Sequence, residues 1–204
     1  MRKFNKQLLV EGNDDMHVIM ALCQKFTVNE NFEIIDCKGI DRLFTQIPIR
    51  LKQSGFETLG IIIDADTEIK SRWCTLKSIF SKQGISLPDE IPNEGLILKT
   101  NSVTIGVWIM PNNDLNGMLE DFISFLIPKE DELLPVATQT LEAIEKEKLN
   151  KYIPAHKSKA LIHSWLSWQE DPGTPMGLAI TKKFLTTQEE ICKRLIAWLS
   201  ITFQ

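Results

Sequence analysis

The chain has 204 residues, of which 43% are hydrophobic and 25% charged, and it carries a formal net charge of -4. That apolar share excludes a disordered chain and suffices for one sizeable core, alone or with an appendage. The mild negative charge excludes a global basic field, so a polyanionic partner would need a local basic patch or a metal bridge.

No apolar stretch approaches the roughly 20 residues of a membrane span, so no membrane partner is expected. The opening Met1-Arg2-Lys3-Phe4-Asn5-Lys6 leads directly into a short strand, not into a signal-peptide core. Cys23, Cys37, Cys74 and Cys192 are widely separated and form no CxxC pair. They read as buried or incidental thiols of a cytoplasmic protein, not as a disulfide frame or zinc site.

In chain order, residues 6–11 form a strand, and 13–27 a helix with Val18, Ile19, Leu22 and Phe26 at helical spacing. Phe32 to Asp36 is a second strand, and Gly39 precedes a helix carrying Leu43, Ile47 and Leu51. Gly60 to Asp64 is a third strand, followed by a helix near 67–83 with Trp73, Leu76 and Phe80. Strand, helix, strand, helix, strand is the pattern of a parallel sheet with right-handed crossovers.

Gly84 to Glu94, with Pro88 and Pro92, is a loop. Strands follow near 95–99 and 103–110, and Asn101-Ser102 between them suits a hairpin turn. Pro111-Asn112-Asn113-Asp114 breaks the pattern, and a helix opens near Asn116 with Met118, Phe122 and Leu126 inward. From Pro135 onward the chain reads as helices only: one to about Asn150, one over 155–168 with Ala160, Leu161, Trp165 and Trp168, and a last one with Ile191, Leu195, Trp198 and Leu199. Thr174-Pro175 reads as an N-cap with Pro at the first helical position. The expected fold is α/β, a parallel sheet flanked by helices (residues 1–134) with a helical extension (135–204) packed on it, or one single domain over 1–204.

Two strand ends carry the chemistry. Leu8-Leu9-Val10 stops at Glu11-Gly12, and Ile61-Ile62-Ile63 stops at Asp64-Ala65-Asp66. The carboxyl edge of parallel strands is where an α/β sheet builds its crevice. Side chains at i and i+2 of extended backbone share a face, so Asp64 and Asp66 can address one ion. Asp66 can instead cap a helix beginning at Thr67, and Asp14 and Asp15 can complement a helix dipole. Two carboxylates about 5 Å apart at an effective dielectric of about 20 repel by about 3 kcal/mol. A hard cation, Mg²⁺ or Mn²⁺, relieves that repulsion and prefers carboxylate oxygen. The chemistry expected is phosphoryl transfer or phosphodiester cleavage.

At these residues the chain resembles the toprim domain superfamily of topoisomerases, bacterial primases, small toprim nucleases and overcoming-lysogenization-defect nucleases. The pattern is Val10-Glu11-Gly12 followed by Ile63-Asp64-Ala65-Asp66, over about residues 5–110. The resemblance implies that Glu11 is an acid/base or metal ligand and that Asp64 and Asp66 are metal ligands. Asp15 matches an acidic ligand of the overcoming-lysogenization-defect branch. Gly106-Val107-Trp108-Ile109-Met110-Pro111-Asn112-Asn113, Gly117-Met118-Leu119-Glu120-Asp121 and Pro172-Gly173-Thr174-Pro175-Met176-Gly177 resemble a largely uncharacterised prokaryotic group of toprim-like proteins. Asp66 is followed by Thr67-Glu68 without the glycine of topoisomerases, and Tyr152 is the only tyrosine, which argues against a topoisomerase.

Other residues have bland readings beside functional ones. Glu120 is a further candidate metal ligand, against a helix-dipole role that suits Asp121 better. Asn113 and Asp114 suit a turn. Lys157, Lys159, Lys182 and Lys183 are candidate nucleic-acid contacts against solvated surface, and His156, beside Lys157, is a conceivable phosphate contact. Trp165 and Trp168 can stack bases, although a helical aromatic pair is more often core. The function expected is metal-dependent phosphodiester chemistry on DNA or RNA by a small nuclease, with a homo-oligomer or partner protein open. The alternatives are a non-catalytic nucleic-acid-binding or regulatory subunit of a defence or repair complex, and a phosphotransferase acting on a small nucleotide.

Overall fold

Leu8, Leu9 and Val10 are all fully buried, so the first strand has no wet face. Such a strand needs cover on both sides. The computed structural model, which describes residues 4–204, shows how that cover is provided. The reading of Met1-Arg2-Lys3 as part of a lead-in lies outside the described residues.

Strands β1 (Lys6–Val10), β2 (Glu33–Asp36), β3 (Thr58–Asp64), β4 (Leu96–Lys99) and β5 (Thr104–Met110) form one sheet in the order β2-β1-β3-β5-β4. All pairings are parallel except the β4–β5 hairpin. Helix α1 (Asn13–Phe26) carries the chain from β1 to β2 on one side. Helix α2 (Ile40–Leu51) carries it back past β1 to β3 on the other side. The two connections run in opposite directions over opposite faces, as crossovers of one hand require. The strand order therefore reverses between β1 and β3, which is the place where an open α/β sheet has its crevice.

Each sheet face has its own core. Leu8, Val10, Ile62, Trp108 and Met110 point to one face, where α1 packs with α4 (Leu119–Phe125), α6 (Lys157–Ser167), α7 (Met176–Thr181) and α8 (Glu190–Thr202). Ala137 brings α5 (Leu133–Lys146) into the same core. Leu9, Ile61, Ile63, Ile105, Val107 and Ile109 point to the other face, covered by α2 and α3 (Ile69–Ser81) through Leu43, Ile47, Trp73, Leu76 and Phe80. The alternation along each strand assigns these two sets. The chain is an α/β protein: a mostly parallel sheet flanked by helices, with helices at its C-terminal end.

Glycines in two central strands let α8 lie directly on the sheet. A Cβ on Gly106 would fall 2.6 Å from Thr202 Cγ2, and one on Gly60 would fall 2.6 Å from Phe203 Cζ. The Trp198 indole N–H donates to the Leu96 carbonyl at 2.9 Å, fastening the same helix to the hairpin.

Several local expectations are corrected. Met176 opens α7 with Pro175 at its N-cap, and the Thr174 hydroxyl donates to the Asp171 carbonyl instead of capping the helix. The helix after Asp66 starts at Ile69 with Glu68 at the N-cap, because Asp66 takes a left-handed backbone (φ 52°) and belongs to the turn. The buried face of α6 is Ile162, Trp165 and Leu166, while Ala160 and Leu161 are only partly buried and Trp168 is exposed. Among the described residues no helix is long and apolar enough to cross a membrane.

Candidate functional site

The ends of β1 and β3 are joined by a side chain. Glu11, one residue beyond β1, accepts the Asp64 amide on Oε1 at 2.8 Å. Its own carbonyl accepts the Gly39 amide at 2.7 Å, so the residue is fixed from both neighbouring connections. Gly12 then turns the chain into α1, and its amide donates to Asp15 Oδ2 at 3.1 Å. That bond holds the Asp15 carboxylate back over the strand end. Asp15 is buried, and its Oδ1 has no hydrogen-bond partner among the described residues.

Asp64 ends β3 and points toward the start of α4, where its Oδ1 accepts the Leu119 amide at 2.9 Å. Asp66 and Gly117 exchange two backbone hydrogen bonds, both 2.8 Å. Asn116 adds two more, accepting the Ile69 amide at 2.9 Å and donating to the Thr67 carbonyl at 2.8 Å. The Gly117-Met118-Leu119-Glu120-Asp121 segment is thereby strapped across the Asp-x-Asp turn. Gly117 has φ 140°, a backbone conformation that favours glycine. The strap brings Glu120 into the site, while Asp121 turns back to accept the Met118 amide at 2.8 Å.

The result is a cleft of about 390 Å³ lined by Gly12, Asp15, Asp64, Asp66, Glu120, His156 and Lys159 among others. Glu11, bonded to the Asp64 amide, is not itself among the lining residues. The cations come from elsewhere in the chain. Arg72, on α3, is ion-paired with Asp66. Lys159, on α6, holds its ammonium 3.6 Å from Glu120 Oε1, and Glu120 is buried while Lys159 is half exposed.

Burial dominates the electrostatics of the acids. It pushes the Asp15 carboxyl up to about 7, with the neighbouring Glu11 charge adding to the effect. Asp64 is raised well above the usual carboxylate range, first by burial and then by Asp15 and Glu11. Glu11 is raised by burial too, although the Asp64 amide and the Arg72 charge pull it down. A buried acid with like-charged neighbours is favoured in its protonated form.

Glu11, Asp15, Asp64, Asp66 and Glu120 are thus brought together. Of the candidate lysines, Lys159 lines the cleft; Lys157 is paired with Glu145 at 2.7 Å and Lys182 with Asp171. Neither Lys182 nor Lys183 is among the lining residues. Asn113 forms the turn after β5, with its Oδ1 accepting the Ile109 amide at 2.7 Å. Trp165 is core, and its indole N–H donates to Asp131 Oδ1 at 3.0 Å. Arg72 was not singled out by sequence, since nothing in the composition of α3 tells which of its charges faces the strand ends.

The donor set is all oxygen, the preference of Mg²⁺ and Mn²⁺. The unpartnered Asp15 Oδ1 is a buried acceptor that a cation would satisfy. Among the described residues, however, no three His, Cys, Asp or Glu side chains stand as a ready-made coordination shell. Glu11 Oε1 and Asp64 Oδ1 are already engaged by backbone amides, leaving the second oxygen of each for a ligand. No curated protein and no solved structure matches the chain. A family model described as "Protein of unknown function (DUF3226)" matches residues 5–204, and the chain belongs to that family.

Proposed function

We propose that the chain is a toprim-type, metal-dependent enzyme acting on nucleic-acid phosphodiesters, a small nuclease using Mg²⁺ or Mn²⁺. The observation that carries this reading is the gathering of Asp15, Asp64, Asp66 and Glu120 around one cleft at the strand-order reversal, with Glu11 bonded to the Asp64 amide and a buried Asp15 oxygen that has no partner among the described residues. A fold seldom concentrates so many acids without a counter-charge.

Asp15, Asp64, Asp66 and Glu120 are the residues that would hold the cation. A divalent ion so held supplies a Lewis acid for the phosphate and eases ionisation of water. Glu11 is positioned by the Asp64 amide, and burial raises its proton affinity, which suits it to take a proton from an attacking water. Lys159 lines the cleft and is half exposed, where it would meet a substrate phosphate. Together these groups serve the cleavage of a phosphodiester by water.

The test is a cleavage screen over plasmid, single-stranded DNA and RNA in Mg²⁺ or Mn²⁺, with Asp64→Ala and Asp66→Ala as controls. Cleavage by the wild type that both substitutions abolish is the expected result; full cleavage by the double variant overturns the reading. A second reading, a non-catalytic nucleic-acid-binding subunit, is favoured by the absence of a ready-made coordination shell among the described residues. Tight nucleic-acid binding in EDTA, without turnover in any metal, would select it.

A further inference from the structure

Glu11, Asp15, Asp64, Asp66 and Glu120 differ in how they are countered. Asp66 has the Arg72 guanidinium, and Glu120 has the Lys159 ammonium. Glu11, Asp15 and Asp64 have backbone amides as their hydrogen-bond donors and no ion pair among the described residues. The two cations come from helices outside the strand-end motifs, Arg72 from α3 and Lys159 from α6.

We propose that Arg72 and Lys159 are exchangeable counter-ions: in the metal-free protein they occupy Asp66 and Glu120, and in the metal-loaded protein they bind the phosphates of a nucleic-acid strand. The proposal rests on the metal-site reading above and adds to it Arg72 as a substrate-binding residue and the exchange of both cations between acid and phosphate.

Three observations support the exchange. The Lys159–Glu120 separation of 3.6 Å is longer than a hydrogen bond, so charge alone holds the pair. The Lys159 side chain is 52% exposed and that of Glu120 5%, so the lysine can swing outward while the acid stays in place. The buried, unpartnered Asp15 Oδ1 lies in the same cleft and marks a cation position that neither Arg72 nor Lys159 fills.

Charge completes the argument. With Asp66 and Glu120 engaged by a dication, Arg72 and Lys159 would keep their charge but lose their partners. An unpaired Arg72 guanidinium, with its side chain only 23% exposed, is costly, and phosphate oxygen is the natural replacement for both cations, bidentate for arginine and a point contact for lysine. Metal and nucleic acid then bind with positive coupling, and each raises the affinity of the other by the same factor.

Two measurements on the full chain test this. Mn²⁺ affinity is read by titration calorimetry. Affinity for a fluorescein-labelled single-stranded DNA oligonucleotide is read by anisotropy in Mn²⁺ and in EDTA, with strand integrity checked on a gel. The wild type is expected to bind the oligonucleotide at least about ten-fold tighter in Mn²⁺ than in EDTA. In the Arg72→Gln/Lys159→Gln double variant that gain should shrink to under about three-fold, while Mn²⁺ affinity is unchanged or higher because competing cations are gone. Arg72→Lys, which keeps the charge, should retain most of the gain; Lys159→Gln alone, at an exposed position, gives an intermediate loss even if Arg72→Gln fails to fold. A double variant that keeps the full gain, or whose Mn²⁺ affinity falls several-fold, overturns the proposal. A wild type that binds Mn²⁺ but binds the oligonucleotide no tighter for it overturns this proposal alone. A wild type that binds no Mn²⁺ overturns the metal-site reading and this proposal with it.

Discussion

Glu11 Oε1 accepts the backbone amide of Asp64 at 2.8 Å, so the acid that ends one strand is the hydrogen-bond partner of the acid that ends its neighbour. This bond joins the carboxyl ends of β1 and β3 across the point where the strand order reverses. Glu11→Ala leaves the Asp64 amide without its acceptor and should cost about 1–3 kcal/mol by urea denaturation. Glu11→Gln keeps an acceptor and removes a charge, so it should be nearly neutral or stabilising. Equal losses from both substitutions would show that the charge, and not the hydrogen bond, holds the strand ends.

Divalent cations should stabilise the fold. A ligand that binds only the native state raises stability by about 2.7 kcal/mol at 100 times its dissociation constant. A thermal melt in Mn²⁺ should therefore lie several degrees above one in EDTA, and Asp64→Asn should remove most of the difference. An Mn²⁺ shift of equal size in Asp64→Asn would place the ion elsewhere.

Burial gives the metal-free protein a definite pH dependence. The Asp15 carboxyl is raised to about 7, and Asp64 is raised as well, so the native state holds protons that the unfolded state has released. For a raised carboxyl the stabilising contribution is full below the unfolded value of about 3.9 and is lost as pH rises through the folded one. Stability in EDTA should accordingly fall between pH 5 and about 8, by an amount on the order of 1–3 kcal/mol. Asp15→Asn keeps an acceptor for the Gly12 amide and should flatten that fall. A wild-type profile that rises over the same interval would contradict the burial of these acids.

Thiol reactivity should separate the four cysteines. Cys74 is exposed on α3, whereas Cys23, Cys37 and Cys192 are buried, and burial pushes each of those three thiols up to about 11. A thiol reagent such as Ellman's should label one equivalent rapidly in the native protein and the remaining three only on unfolding. Cys74→Ser should abolish the fast phase.

Gly106 and Gly60 test the seating of α8. Gly106→Ala places a methyl group 2.6 Å from Thr202 Cγ2, and overpacking of this kind typically costs about 1–3 kcal/mol. Thr202→Ser, by removing that methyl, should recover part of the loss in the double variant. Independent, additive effects of the two substitutions would mean that α8 does not press on the strand there.

The amino-acid sequence by itself determined the alternation of strands and helices, the hairpin and the strand-end acids. Each is a local signal: apolar runs that stop at Glu11 and Asp64, helical spacing of Val18, Ile19 and Leu22, and proline or glycine at the breaks. Local signals also misplaced the first turns of α3 and α7, where Asp66 and Thr174 have side chains that can cap a helix but lie in turns that precede it. What only the tertiary structure decided is which distant charges share the cleft. Glu120 enters because Gly117 pairs with Asp66 through the backbone, and Lys159 because α6 packs against α4 on the sheet. Arg72 meets Asp66 because the chain turns through a left-handed residue before α3 begins. Long-range packing leaves no trace in the spacing of single residues, so Glu11 and Asp64 could be read from the chain, but Arg72 could not, and Lys159 could be read only as one of four candidate lysines.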